Sequence, residues 1–130
     1  MKFNIEHIGI RVENPIEMAK WYKDVLGFKI KFSGADSEKA VAFITDAANT
    51  VLLEIGKVPG VKPLHNSLSH HLQFHIALKS DDPDADTKYL IQNGAKFIEK
   101  CPITRAGDYL VVLKDPWGNC IQLSQRKSKI

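Results

Sequence analysis

Two cysteines in 130 residues, Cys101 and Cys120, make neither a CxxC pair nor a secretory disulfide framework, so both are expected to be reduced thiols. Cys120 follows the turn sequence DPWGN (115–119) and reads as a small buried residue rather than a nucleophile. No apolar run approaches the ~20 residues that a bilayer span requires. The N-terminal MKFNIEHIGI has one lysine and no apolar segment ending in a small-residue cleavage site. No signal peptide and no membrane association are therefore expected, with the cytoplasm as the default compartment. Neither sign of charge dominates: 18 basic against 15 acidic residues leave +3, much of it in the tail RKSKI (126–130). That balance argues against nucleic acid as a partner, and the tail reads as a solvated terminus. What is present is an ordinary globular composition, 44% hydrophobic and 25% charged, over a length that suits a single domain, 1–130, with its own core.

The chain repeats itself. EHIGIRVENP (6–15) lies on FHIALKSDDP (74–83) without a gap, placing His7 on His75, Ile8 on Ile76, Gly9 on Ala77, Arg11 on Lys79 and Pro15 on Pro83. Each proline opens a predicted helix at its first position, behind a capping Asn14 or Asp82. The first helix is expected over 15–26, with Met18, Ala19, Tyr22, Val25 and Leu26 at helical spacing and Gly27 as its stop. The second is expected over 83–92, with Ala85, Tyr89 and Leu90 as its apolar stripe, ending at Asn93-Gly94.

Three short β-like runs follow each helix: 28–32, 40–44 and 50–55 in the first copy, and 96–100, 109–113 and 119–124 in the second. Glu54 falls on Gln122 under the same 68-residue offset that relates His7 to His75. The predicted fold is thus α+β, two βαβββ repeats forming a curved mixed sheet. The modules span 5–55 and 71–124, joined by a Gly- and Pro-rich linker, 56–70, whose length also allows an active-site lid.

Strand alternation separates two registers. Ile8, Ile10 and Val12 face one way in the first strand, as do Val51, Leu53 and Ile55 in the fourth, Leu72, Phe74, Ile76 and Leu78 in the fifth, and Ile121 and Leu123 in the last. These aliphatic registers are expected under the helices. The opposite registers carry His7, Glu54, His75 and Gln122 among small and polar residues, as would line a cavity. The stretch SHHLQFH (69–75) holds three histidines, but on a strand His71 and His75 stand about 13 Å apart, too far to share a metal. No HExxH motif supports a helical pair. The repeat pairs His75 with His7, not with His71.

A doubled βαβββ unit with a histidine opening each copy, and an acidic or amide residue in each last strand, resembles the vicinal oxygen chelate superfamily. That group includes glyoxalase I, extradiol dioxygenases and the bleomycin- and fosfomycin-resistance proteins. HIGIRVENPIEMAKWYKDVLGFKI (7–30) and LKDPWGNCIQL (113–123) carry the resemblance most strongly. By position it implies four metal-ligand sites, His7, Glu54, His75 and Gln122. Glutamate is usual where this chain has Gln122, and an amide can coordinate a cation but cannot accept a substrate proton. Arg11 matches an HxxxR feature that in glyoxalase I reaches a glutathione carboxylate; a solvated surface charge is the alternative.

The resemblance implies a metal-dependent lyase or isomerase of the glyoxalase I type, with Glu54 as the remaining carboxylate base. Its cofactor would be one divalent ion, Zn, Ni, Co or Mn, because mixed nitrogen and oxygen ligands do not select Ca or Mg. Its substrate would be a small molecule with adjacent oxygens, with a thiol conjugate as one form. The alternatives are a non-catalytic small-molecule binder such as the bleomycin-resistance members, and, ranked lower, a dioxygenase or a thiol transferase. A twofold homodimer is expected, with the site built within one chain or across the interface.

Overall fold

The computed structural model describes residues 1–101 and 105–130, so residues 102–104 of the predicted second module lie outside the described residues. The elements in chain order are β1 (Ile8–Arg11), α1 (Pro15–Leu26), β2 (Lys29–Ala35), β3 (Ala40–Thr45) and β4 (Leu52–Lys57), then β5 (Ile76–Lys79), α2 (Pro83–Gln92), β6 (Lys96–Lys100), β7 (Tyr109–Lys114) and β8 (Cys120–Gln125). They form two compact units, Met1–Ser67 and Leu68–Ile130. Each unit is a βαβββ module with one four-stranded mixed sheet, ordered β1-β4-β3-β2 in the first and β5-β8-β7-β6 in the second. The α+β class and the doubled module are as expected.

In the first unit, β1 runs parallel to β4, while β3 pairs antiparallel with both β4 and β2. Met18, Ala19 and Tyr22 of α1 are fully buried, as are Ile44 and Ile55 of the sheet, so these three of the predicted helical stripe are core, while Val25 and Leu26 are half-buried. Burial of this kind contributes roughly 1.5–3 kcal/mol per large side chain. Gly27 ends the helix in the left-handed region at φ 74°, its N–H returning to the Lys23 carbonyl at 3.2 Å. Phe28 N–H then reaches the Tyr22 carbonyl at 3.1 Å and its ring packs edge-on against Tyr22 at 5.4 Å. The glycine stop works because only a residue without a Cβ enters that conformation freely.

The second unit repeats this pairing by pairing. The register from Ile8↔Leu53 to Arg11↔Gly56 recurs 68 residues later from Ile76↔Ile121 to Lys79↔Ser124. A bulge between Ile30 and Phe32 in β2 recurs between Phe97 and Glu99 in β6. The β3–β4 turn is held by Asp46, which accepts from the Thr50 and Val51 N–H groups at 2.7 and 3.1 Å. Asp115 does the same in the β7–β8 turn, accepting from Trp117 and Asn119 at 2.9 and 2.8 Å. Asn49 and Gly118, one in each turn, both have positive φ, 56° and 90°.

Four expectations are corrected. The fifth strand starts at Ile76, because His71–Gln73 forms a 3-10 turn. There the Gln73 side-chain oxygen accepts from the Ser69 and His70 N–H groups at 2.7 and 2.8 Å, and His70 Nδ1 accepts from Leu72 N–H at 3.1 Å. Such local side-chain bonds outcompete a strand ladder. The strand distance between His71 and His75 therefore does not apply. Asn14 makes no side-chain cap on α1, whereas Asp82 caps α2 by accepting from Ala85 N–H at 3.0 Å. The stripe of α2 is also different: Pro83 and Leu90 are buried, while Ala85 and Tyr89 are exposed. Val51, drawn into the Asp46 turn, lies ahead of β4 and is exposed rather than in the core.

Candidate functional site

The site residues of the first unit are assembled by strand register. Gly9 of β1 stands opposite Glu54 of β4, so His7, two residues earlier, projects to the same face as Glu54. His7 Nε2 lies 3.4 Å from Glu54 Oε2. On the other side of the ring, Nδ1 is 3.3 Å from Glu6 Oε2, yet this buried atom has no aligned hydrogen-bond partner. The 3.3 Å approach is therefore an unaligned polar contact rather than a hydrogen bond.

Arg11 shares this face. Its Nη2 donates to Glu54 Oε1 at 2.5 Å, with Arg11 and Glu54 side chains 28% and 22% exposed. Arg11 is thus ion-paired with Glu54 while part of its side chain stays exposed. The guanidinium rests over Gly56, its register partner in β4, where any Cβ would collide with Arg11 Nη1. A Cβ there would displace the movable end of Arg11, so the glycine makes room for this placement of the guanidinium.

Aromatic rings continue the row. Phe43 of β3 is the register partner of Glu54 and meets the His7 ring edge-on at 5.8 Å. Phe32 of β2 pairs with Phe43 and approaches it at 6.3 Å, with 58% of its surface exposed. These two rings were missed from the sequence. The available signal was alternation in β3, which sets Val41 and Phe43 on the register opposite the buried Ala42 and Ile44.

In the second unit, Ala77 of β5 stands opposite Gln122 of β8, mirroring Gly9 and Glu54. Gln122 is buried, accepting from Ser124 Oγ at 3.3 Å through Oε1 and approaching Cys101 Sγ at 3.7 Å through Nε2. His75 immediately precedes β5 and is exposed, and its side chain makes no hydrogen bond or ion pair among the described residues. The positions of Arg11, Gly56, Phe43 and Phe32 are held by Lys79, Ser124, Val112 and Glu99, so the ion pair and the aromatic row have no counterpart here. Glu99 is instead 2.9 Å from His71 Nε2, and His70 stacks on His71 at 4.1 Å. Cys120 is buried and desolvation pushes its thiol up to about 11, leaving it inert as a nucleophile.

Among the described residues, no three or more His, Cys, Asp or Glu side chains converge as metal ligands. The His7–Glu54 pair is nonetheless spaced for a shared ion: two ligand atoms each about 2.1 Å from a tetrahedral cation lie about 3.4 Å apart. Two ligands are too few for a protein cation site. A groove of about 350 Å³ at the N-terminus of α1 is lined by Glu13, Asp36, Glu38, Lys39 and Lys57 among others, and neither His7 nor Glu54 is in its lining.

The sequence profile of the Glyoxalase/Bleomycin resistance protein/Dioxygenase superfamily matches residues 4–123. No curated protein matches in sequence. Among solved structures, a glyoxalase family protein from Bacillus cereus superposes with a TM-score of 0.73 at 14% identity, over 95% of this chain and 94% of that one. The fosfomycin resistance protein FosX from Listeria monocytogenes, complexed with Mn(II) and sulfate, gives 0.67 at 13% identity, over 98% and 95%. TnmS3, an antibiotic binding protein from Streptomyces sp. CB03234, gives 0.66 at 21% identity, over 97% and 100%.

Proposed function

Because the chain belongs to the glyoxalase, bleomycin resistance protein and dioxygenase superfamily, we propose that it is a divalent-metal-dependent lyase or isomerase of the glyoxalase I type. Its substrate would be a small molecule bearing two adjacent oxygens. The observation that carries this reading is the 3.4 Å separation of His7 Nε2 and Glu54 Oε2, an imidazole nitrogen and a carboxylate oxygen at the spacing of two ligands on one cation. His75 and Gln122 complete the proposed set, from the same chain or from a second copy in a twofold dimer. A cation held there would supply Lewis-acid polarisation of the substrate oxygens.

Within that set Glu54 is the one carboxylate, so a proton removed from substrate carbon would be accepted at a Glu54 oxygen. Gln122 contributes an amide, which has donor and acceptor atoms but no proton-accepting charge. Phe43 and Phe32 extend from His7 as an apolar wall suited to the body of a substrate.

The reading is tested by the metal content of purified protein. Wild type should carry one Zn, Ni, Co or Mn ion per site, and His7→Ala or His75→Ala should carry none; equal content in all three removes the proposal.

A second reading, a small-molecule binder without turnover, is favoured by a specific pair of observations. The Gln122 oxygen already accepts from Ser124, and the Phe43–Phe32 surface offers stacking without any metal. TnmS3, an antibiotic binding protein, is of this kind. Binding of a planar aromatic ligand that survives chelation of all metal, together with no turnover of methylglyoxal and glutathione, would favour it.

A further inference from the structure

We propose that Arg11 is a built-in competitor for the metal position: its guanidinium and a divalent cation hold the Glu54 carboxylate by turns, not together. This rests on the metal reading above. Glu54 accepts a 2.5 Å charge-assisted bond from Arg11 Nη2, shorter than most such bonds. The carboxylate has a single negative charge, and Arg11 already neutralises it. His7 adds no charge when neutral, as a metal ligand must be, and Gln122 and His75 add none either. A cation at Glu54 Oε2 would leave two positive groups on the two oxygens of one carboxylate, only partly open to water. Like charges at such spacing disfavour each other strongly.

The backbone is arranged for the guanidinium. Gly56 is buried and its missing Cβ is the space that Arg11 Nη1 fills, so the side chain lies flat along the sheet toward Glu54. The repeat provides an internal contrast, since Ser124 stands at the Gly56 position, and Lys79 and Gln122 there form no ion pair. The clamp is a feature of the first unit, added to the pairing that both units share. Linkage makes the effect reciprocal: whatever Arg11 costs the cation, the cation costs the Arg11–Glu54 bond.

The test is calorimetric titration of Mn²⁺ and Zn²⁺ into metal-free wild type and Arg11→Met. Methionine keeps an unbranched apolar stem while removing the guanidinium and its charge. The expected result is tighter binding by the variant, on the order of tenfold. If wild type binds and Arg11→Met binds equally or more weakly, Arg11 serves as an orienting partner of Glu54 and the competition is overturned, while the metal reading stands. If neither protein binds either cation, both fall. Wild type alone supplies a second measurement that needs no variant. The Arg11 side-chain N–H resonance should move from its ion-paired position to that of a free arginine at saturating Zn²⁺; persistence of the paired signal overturns the proposal.

Discussion

A carboxylate at position 122 would meet surroundings unlike those of Glu54. Glu54 has Arg11 on one oxygen and an imidazole facing the other, whereas Gln122 is buried with a serine hydroxyl and a thiol as neighbours. Gln122→Glu therefore places an unpaired charge in the second sheet and should cost about 1–3 kcal/mol of stability, or more if the carboxylate stays ionised. Thermal melts should show that loss in metal-free protein and its recovery on adding Mn²⁺ or Zn²⁺; a variant as stable as wild type without metal would mean the site is wetter than its burial implies. The same variant should raise any isomerase activity toward methylglyoxal with a thiol, because it restores a proton-accepting group.

Cys120 offers a simpler residue-scale check. With its thiol held up at about 11 by burial, it should resist alkylation at pH 8 in the native state and react only on unfolding, as mass spectrometry would read.

At the scale of elements, the two helices differ in how they begin. Asp82 bonds the Ala85 N–H, while Asn14 bonds none of its helix's free N–H groups through its side chain. Asp82→Ala should thus cost about 1 kcal/mol in chemical denaturation and Asn14→Ala markedly less. A second element-scale device is Asp108, which ties the turn before β7 to the residues after β8. Its carboxylate accepts from Lys127 N–H, Arg126 Nη1 and Arg105 Nε, each at 2.9 Å. The Lys127 N–H first, then the Arg126 guanidinium, hold this carboxyl at about 2, below its ordinary 3.8. A depressed carboxyl stabilises the fold above its unfolded value, and that contribution is lost as pH falls through the folded value. Wild type should therefore lose stability between about pH 4 and pH 2, and Asp108→Asn should lose less over that window, measured by denaturation at each pH. Both helices begin and end where the sequence implies, because proline at the first position and glycine beyond the last act locally. The start of β5 was not legible in the same way. The alternation from Leu72 to Leu78 suits a strand, but the His70 and Gln73 side chains bond the backbone before a ladder can form.

For the whole molecule, the proposed set needs both modules, and the proposed twofold dimer allows them to come from different chains. Mixing a His7→Ala chain with a His75→Ala chain tests this. Interface sites predict that each heterodimer regains one intact metal site of two; no recovery, with subunit exchange demonstrated, would put both pairs of ligands in the same chain. Among the described residues no helix is long and apolar enough to cross a membrane.

The sequence by itself determined the doubled βαβββ module and the equivalence of His7 with His75 and of Glu54 with Gln122. Helix stops, strand alternation and a constant offset are properties of neighbouring residues and of the chain compared with itself, and they survive without knowledge of packing. The tertiary structure alone decided what the side chains do with one another. Arg11 turns to Glu54, 43 residues away, and His71 to Glu99, 28 residues away. Phe43 meets His7, and Phe32 meets Phe43, across the first sheet. These choices depend on which long side chain finds room and an opposite charge after the strands have paired. The absent Cβ of Gly56 shows this directly: its value to Arg11 exists only once β1 lies beside β4.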